Sequence, residues 1–266
     1  MVTATVSGTR VHFVDAGSGS IPLVLLHAFP LHSGQWDDQV GAFSPRRRVV
    51  APDLPGFGST PPIVGADGAT MAGFADVVAG LIDQLGIGPV VLGGLSMGGY
   101  IAFALLRRRP DLVAGVVLAD TRAGADSPEV AERRGAQQAQ VADRGTAELI
   151  ETMVGNLLSD ETRAQRPEVV ERVRALMTAN PADGIIAALG AMRARPDSRA
   201  ELATIRVPVL VVVGEHDGPS PPAEAEALAD ALPDAHLEVI EGAGHLSNLE
   251  APASFNGVLA TFLNRF

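Results

Sequence analysis

Apolar residues follow two rhythms along this chain. Pro89 to Leu95 (PVVLGGL), Val113 to Ala119 (VAGVVLA) and Val207 to Val213 (VPVLVVV) are continuous apolar runs with no alternating polar face. That pattern predicts short strands buried on both sides, as in a parallel sheet. Val11 to Val14, Pro22 to His27 and Arg48 to Pro52, each bounded by Gly, Pro, Asp or Ser, predict earlier strands, and His236 to Ile240 a late one. The second rhythm is helical. Met71 to Leu85 repeats at helical spacing and leads through Gly86 and Gly88 into the PVVLGGL strand, while Met97 to Arg109 carries Tyr100, Ile101, Ala104 and Leu105 on one face. Strands alternating with helices predict an α/β fold with a doubly wound sheet.

From Thr121 to Ala200 the rhythm changes. No Phe, Trp or Tyr occurs there, no strand is discernible, and the helical segments are rich in Ala, Arg, Glu and Leu. Ser127-Pro128 and Asn180-Pro181 each read as a helix cap followed by proline at the first helical position. The expected organisation is a core of residues 1–120 and 201–266 with a helical lid over 121–200. Met153, Leu157, Leu158, Met177, Ile185, Ile186, Leu189 and Met192 supply that lid with adaptable apolar side chains, which suit an apolar pocket for small to medium acyl groups or, for most of them, packing of the lid on the core.

Composition narrows the function. With 266 residues, 47% of them hydrophobic, the chain can bury one large core. Its 20 basic and 31 acidic residues give a formal charge of −11, which disfavours nucleic acid and anionic membranes as partners. There is no cysteine, so neither disulfides nor thiolate chemistry is available. The N-terminal MVTATVSGTRVHF lacks a basic segment followed by an apolar one, and no apolar run is long enough to span a bilayer, so a soluble cytoplasmic protein is expected. No histidine and acid spacing suggests a metal site and no glycine pattern suggests a nucleotide loop, so no cofactor is expected.

The candidate chemistry begins with Gly94-Leu95-Ser96-Met97-Gly98, placed between the PVVLGGL strand and the helix that follows. A serine flanked by glycines two residues away suits a turn too tight for side chains at those positions, with the hydroxyl held clear of the strand. Serine needs a base and the base needs an orienting acid. His245, in EGAGHLSNLEAP, and Asp217, just past VPVLVVVGEHD, are the downstream candidates, in the chain order Ser, Asp, His. Backbone N–H groups of Phe29, in LLHAFPLH, and Met97, at a helix start, are placed to stabilise an oxyanion.

Taken together, LLHAFPLHSGQW, APDLPGFGST, GLSMGG, GEHD and GAGHLSNLEAP resemble, in the same order, five motifs of the α/β-hydrolase superfamily, of its compact esterase, lactonase and haloperoxidase type. The resemblance covers essentially the whole chain. It implies a mostly parallel eight-stranded sheet with helices on both faces and a helical lid inserted after the sixth strand. It also implies Ser96 as nucleophile, Asp217 as acid, His245 as base, and Phe29 and Met97 as oxyanion donors. Ala28 departs from the glycine usual in the first motif, and a serine nucleophile sets the chain apart from the similar dehalogenases and epoxide hydrolases, which attack through carboxylate.

Other residues compete for roles. Asp120 also ends an apolar run and is the rival acid. Asp53 is expected to bond the turn that follows it, and His27 to brace the oxyanion loop. His32 and Trp36 stand between substrate contact and packing, His216 reads as a loop residue, and Arg107 to Arg109 suit the negative end of a helix. The expected activity is hydrolysis of a small-molecule carboxylic ester through an acyl-enzyme. Lactone hydrolysis, cofactor-free perhydrolysis with haloperoxidase activity, and a non-catalytic ligand receptor are the alternatives.

Overall fold

The continuous apolar runs become the middle of a single sheet. The computed structural model describes residues 2–19, 21–63 and 69–266. Its strands are β1 (Val2–Val6), β2 (Thr9–Ala16), β3 (Leu23–Leu26), β4 (Val49–Pro52), β5 (Val90–Leu95), β6 (Val113–Ala119), β7 (Val209–Gly214) and β8 (Ala235–Ile240). Across the sheet the order is β1-β2-β4-β3-β5-β6-β7-β8. β1 pairs with β2, and β2 with β4, in antiparallel fashion, and every other pairing is parallel. β3, β4, β5 and β7 are buried at every residue, as their unbroken apolar sequence requires, whereas β1 and β8 at the two edges are largely uncovered.

β1 lies outside the sequence expectation. Its residues VTATV alternate over too short a span to stand out, and the strand is defined by its hairpin to β2. Val6 pairs with Thr9 across Ser7 and Gly8, whose φ angles of 48° and 84° are those of a two-residue turn matched to strand twist.

The two faces of the sheet carry separate apolar layers. Val24, Leu26, Leu92, Val116, Leu118 and Val211 point to one, where α2 (Met71–Leu85), α3 (Met97–Arg108) and α9 (Pro222–Asp230) cover them. Leu23, Leu25, Val91, Val117, Leu210 and Val212 point to the other, toward Trp36, α1 (Asp37–Phe43) and α11 (Pro252–Leu263). Strand alternation thus splits each run between two cores. α2 has the predicted bounds, set by the Thr70 hydroxyl accepting from Gly73 N at 2.9 Å and by Gly86 at φ 60° beyond its end.

Between β6 and β7 the described residues hold only helices: α4 (Pro128–Arg144), α5 (Ala147–Leu157), α6 (Asp160–Gln165), α7 (Pro167–Thr178), α8 (Ala182–Arg193) and a short 3₁₀ turn. Ser127 caps α4 as expected, with Pro128 in the first turn. Asn180 does not cap α8. Its amide nitrogen donates to Pro30 O at 2.6 Å and Leu176 O at 2.8 Å, its oxygen accepts from Gly58 N at 2.7 Å, and α8 begins after Pro181. One buried amide here satisfies backbone groups on three segments, where a cap would satisfy one. Among the described residues no helix is long and apolar enough to cross a membrane.

Candidate active site

Ser96 is the hinge between β5 and α3, with φ 53° and ψ −110°, a conformation rare for a residue with a side chain. Neighbouring atoms fix it there. Its N–H donates to Ala119 O at 2.9 Å, extending the strand ladder, and its carbonyl accepts from Thr121 Oγ1 at 2.9 Å and from Gly99 N at 2.9 Å. Backbone strain of this kind persists where the surroundings over-determine it. The flanking glycines are required by contact. A Cβ on Gly98 would lie 2.2 Å from Leu26 O, and one on Gly94 would lie 2.3 Å from the Gly98 carbonyl.

β7 ends in the loop that carries Asp217, and β8 ends in the loop that carries His245; both side chains are buried. His245 Nδ1 lies 2.8 Å from each Asp217 carboxylate oxygen, and His245 Nε2 lies 2.8 Å from Ser96 Oγ. A carboxylate accepts only, so the Nδ1 hydrogen points to Asp217 and Nε2 is left as the acceptor for the serine hydroxyl. Asp217 is held in turn by Ser220 N, which donates to its Oδ1 at 2.7 Å. Three distant segments meet in one chain of hydrogen bonds.

Phe29 lies on the loop after β3, and Met97 opens α3. Among the hydrogen bonds of the described residues, neither N–H has an acceptor. The loop is fixed around them: Ala28 N donates to Gln35 Oε1 at 2.8 Å and Leu31 N to Ala28 O at 2.9 Å. Ala28 is buried and its φ is not positive, so the place of the missing glycine makes no demand that alanine fails to meet.

A cavity of about 400 Å³ opens over Ser96 and His245. Phe29, on the loop after β3, and Tyr100, on α3, line it together with Met153, Leu157 and Met192 of the helical segment. Most of the lid's apolar side chains pack, as the second reading of them holds, and the lining is more polar than expected. Leu158, Met177, Ile185 and Leu189 are buried in packing, Ile186 is packed partly buried against the core, and Arg122, Arg133, Arg134, Gln137, Thr152 and Asn156 share the lining. α4 turns a polar face inward, which an inventory of apolar residues overlooks.

Residues 21–252 match the family model described as the alpha/beta hydrolase fold. The chain belongs to the α/β-hydrolase family. It is similar to a thermophilic esterase from Thermogutta terrifontis, whose malate-bound structure has 39% identity, covers 99% of this chain and 98% of that one, and superposes with a TM-score of 0.94. The enol-lactonase of Burkholderia xenovorans LB400 has 30% identity over 99% of this chain and 100% of its own, with a TM-score of 0.90. The 3-oxoadipate enol-lactonase 2 of Acinetobacter baylyi is 28% identical over 265 residues, 99% of this chain and 97% of its own.

In this hydrolase the rival residues take bracing positions. Asp120, at φ 48°, accepts from Gly214 N at 2.8 Å and Ser247 Oγ at 2.5 Å and does not touch the imidazole. Burial, and then the neighbouring Asp217, push its carboxyl well above the usual range. His27 Nε2 accepts from Leu54 N at 3.0 Å while Nδ1 faces Ala28 O at 3.0 Å, and complete burial pushes the ring down to about 4, so it braces two loops as a neutral group. Asp53 accepts from Ser59 N at 2.9 Å in the turn it was expected to bond, and also from Ser33 N at 3.0 Å.

His32 and Trp36 lie away from the cavity. The His32 ring accepts from Gly34 N in a short 3₁₀ turn, and Trp36 is buried against Phe255. His216 is exposed beside Glu215, and Arg107, Arg108 and Arg109 end α3 in ion pairs to Glu201, Asp76 and Asp83. Besides the polar residues that line the cavity, a buried acid beside the site escaped the sequence reading. Glu250, on the short helix α10 (Ser247–Glu250), is buried and accepts from Gly244 N at 2.9 Å and Ser159 N at 2.8 Å, tying the His245 loop to the start of α6. No local signal marks it, since half of HLSNLEAP is polar and one of its partners lies on a distant segment.

Proposed function

We propose that this chain is a serine hydrolase of carboxylic esters, with Ser96 as nucleophile, His245 as general base and acid, Asp217 as orienting carboxylate, and the Phe29 and Met97 N–H groups as the oxyanion hole. The observation that carries this reading is the unbroken series Ser96 Oγ, His245, Asp217, every step of which is 2.8 Å. As Ser96 Oγ bonds to the ester carbon, its proton passes to His245 Nε2 and the carbonyl oxygen becomes an oxyanion facing the two amides. Collapse expels the alcohol, protonated by His245. Water then adds to the acyl-enzyme with His245 as base, and the carboxylic acid leaves. Protein groups and water balance every step.

We also assign the helical segment over 121–200 the part of a lid on a core of 1–120 and 201–266, because Met153, Leu157 and Met192 roof the cavity. Expulsion of water from such a site strengthens the hydrogen bonds that stabilise the oxyanion. Lactone hydrolysis is the second reading, favoured by the enol-lactonases among the similar proteins. Its chemistry differs only in that the leaving alkoxide stays tethered to the acyl group.

Ser96→Ala is expected to lower kcat for 4-nitrophenyl butyrate by at least about 10³-fold and to abolish fluorophosphonate labelling, with an unchanged circular-dichroism spectrum. Residual turnover close to wild type would remove Ser96 from the mechanism. A panel of linear esters and lactones of matched size, ranked by kcat/KM, separates the two readings.

A further inference from the structure

The chain is acidic, with 31 carboxylate side chains against 20 cationic ones, yet the cavity over Ser96 is lined by three arginines and by no Asp or Glu among the described residues. Such a reversal of local charge against global charge concentrates anions at one place. On α4, Val130, Arg133, Arg134 and Gln137 all reach the cavity. Their i, i+3, i+4, i+7 spacing is one helix face, so the arginines are presented inward as a stripe.

The three cations differ in how far they are already neutralised. Arg134 pairs with Asp126 at 2.6 Å, but Asp126 also pairs with the buried Arg195 at 2.6 Å, so one carboxylate serves two guanidiniums. Arg133 is exposed and makes no ion pair among the described residues. Arg122 is partly buried; among the described residues it has no carboxylate within 4.0 Å, its Nη2 donates to Pro219 O, and its buried Nε has no acceptor. A guanidinium carries five N–H donors in a planar fork, and most of those on Arg122 have no acceptor among the described residues.

Arg122 also sits where a specificity group belongs. It follows Thr121, whose hydroxyl holds the Ser96 carbonyl, and it reaches Pro219, two residues beyond Asp217. Phe29, Met153 and Met192 add apolar surface to the same lining. The cavity therefore offers surface for methylene groups together with cationic groups for an anion.

We propose that Arg122 and Arg133 supply the carboxylate-binding groups of this cavity, and that the substrate is an ester or lactone bearing a free carboxylate. The proposal rests on the serine-hydrolase reading above and names its substrate class. A planar carboxylate pairs with a guanidinium through two charge-assisted hydrogen bonds. A neutral acyl chain in the same place covers Arg122 with apolar surface and leaves its charge unpaired, which selects against neutral esters.

The test compares monoethyl succinate with diethyl succinate by pH-stat on the full chain, together with fluorophosphonate labelling of Ser96 in the presence of succinate. Wild type is expected to favour the half-ester in kcat/KM by at least about tenfold, through KM, and succinate is expected to slow labelling. Arg122→Gln is expected to cut the half-ester to diester ratio by at least about tenfold and Arg133→Gln by roughly threefold, with Arg122→Lys retaining part of it. Salt at about 0.5 M is expected to compress the wild-type ratio. An equal or reversed wild-type preference, or a ratio unmoved by Arg122→Gln, overturns the proposal. Should Arg122→Gln fail to fold, Arg133→Gln and succinate protection of wild-type Ser96 decide, and absence of protection overturns it. Diester cleavage with normal labelling but no half-ester preference defeats this proposal alone, whereas no labelling of Ser96 at all defeats the hydrolase reading beneath it.

Discussion

Asp217 and Asp120 are both buried carboxylates, and their hydrogen bonds make them unequal. Asp217 takes the Nδ1 hydrogen of His245, so Asp217→Asn presents an amide that favours the wrong imidazole tautomer; kcat is expected to fall by about 10⁴-fold. Asp120 accepts from Gly214 N and Ser247 Oγ instead, and Asp120→Asn is expected to stay within about tenfold of wild type in the same steady-state assay. His27 offers a test in stability. Its ring is pushed down to about 4 by burial, whereas in the unfolded chain it titrates near 6.5. As pH falls through that window the unfolded chain takes up a proton that the folded site refuses, so stability is lost, by roughly 3 kcal/mol at the limit. Asp120, with its raised carboxyl, acts in the opposite sense, its contribution being present at low pH and lost as pH rises. The difference between wild type and His27→Gln isolates the histidine: urea midpoints are expected to fall less steeply in the variant between about pH 7 and pH 4.

At the scale of elements, the legible parts of the chain were those where one physical cause dominates. β6 and α2 have the bounds that the sequence predicts, because burial selects β6 and, in α2, apolar periodicity agrees with the Thr70 cap and Gly86. The elbow was legible from Gly94 and Gly98, since no other residue fits where Leu26 O and the Gly98 carbonyl approach so closely. Gly98→Ala is expected to cost about 3 kcal/mol in urea unfolding and to depress kcat by displacing Ser96. Less legible were the residues whose role comes from tertiary meetings. Asn180 reads locally as a cap, but contacts with Pro30 and Gly58, more than a hundred residues away in sequence, decide its use. Glu250 has no local pattern, because its partners are backbone amides of Gly244 and Ser159. Glu250→Ala leaves those two buried donors unpaired, which is expected to cost roughly 2–4 kcal/mol in the same unfolding measurement. Arg122 was passed over for the same reason, as the cavity it lines exists only once β6 and β7 are neighbours.

At the scale of the whole molecule, the helical segment and the sheet are joined by close contacts as well as by the chain. Gly184, in the first turn of α8, meets Gly56 after β4 so closely that a Cβ on Gly184 would lie 1.7 Å from Gly56 O. Gly184→Ala is expected to force the two apart, lowering Tm by about 5 °C and speeding proteolysis between β6 and β7. A further tie reaches the chemistry: His245 N donates to Leu157 O at 2.9 Å, at the end of α5. The backbone of the imidazole is thus anchored partly on α5, whose Leu157 lines the same cavity. Warming that frays α5 near Leu157 would release the ring while the sheet stays intact, so activity is expected to vanish at a lower temperature than the sheet melts, making turnover a thermometer of one helix end.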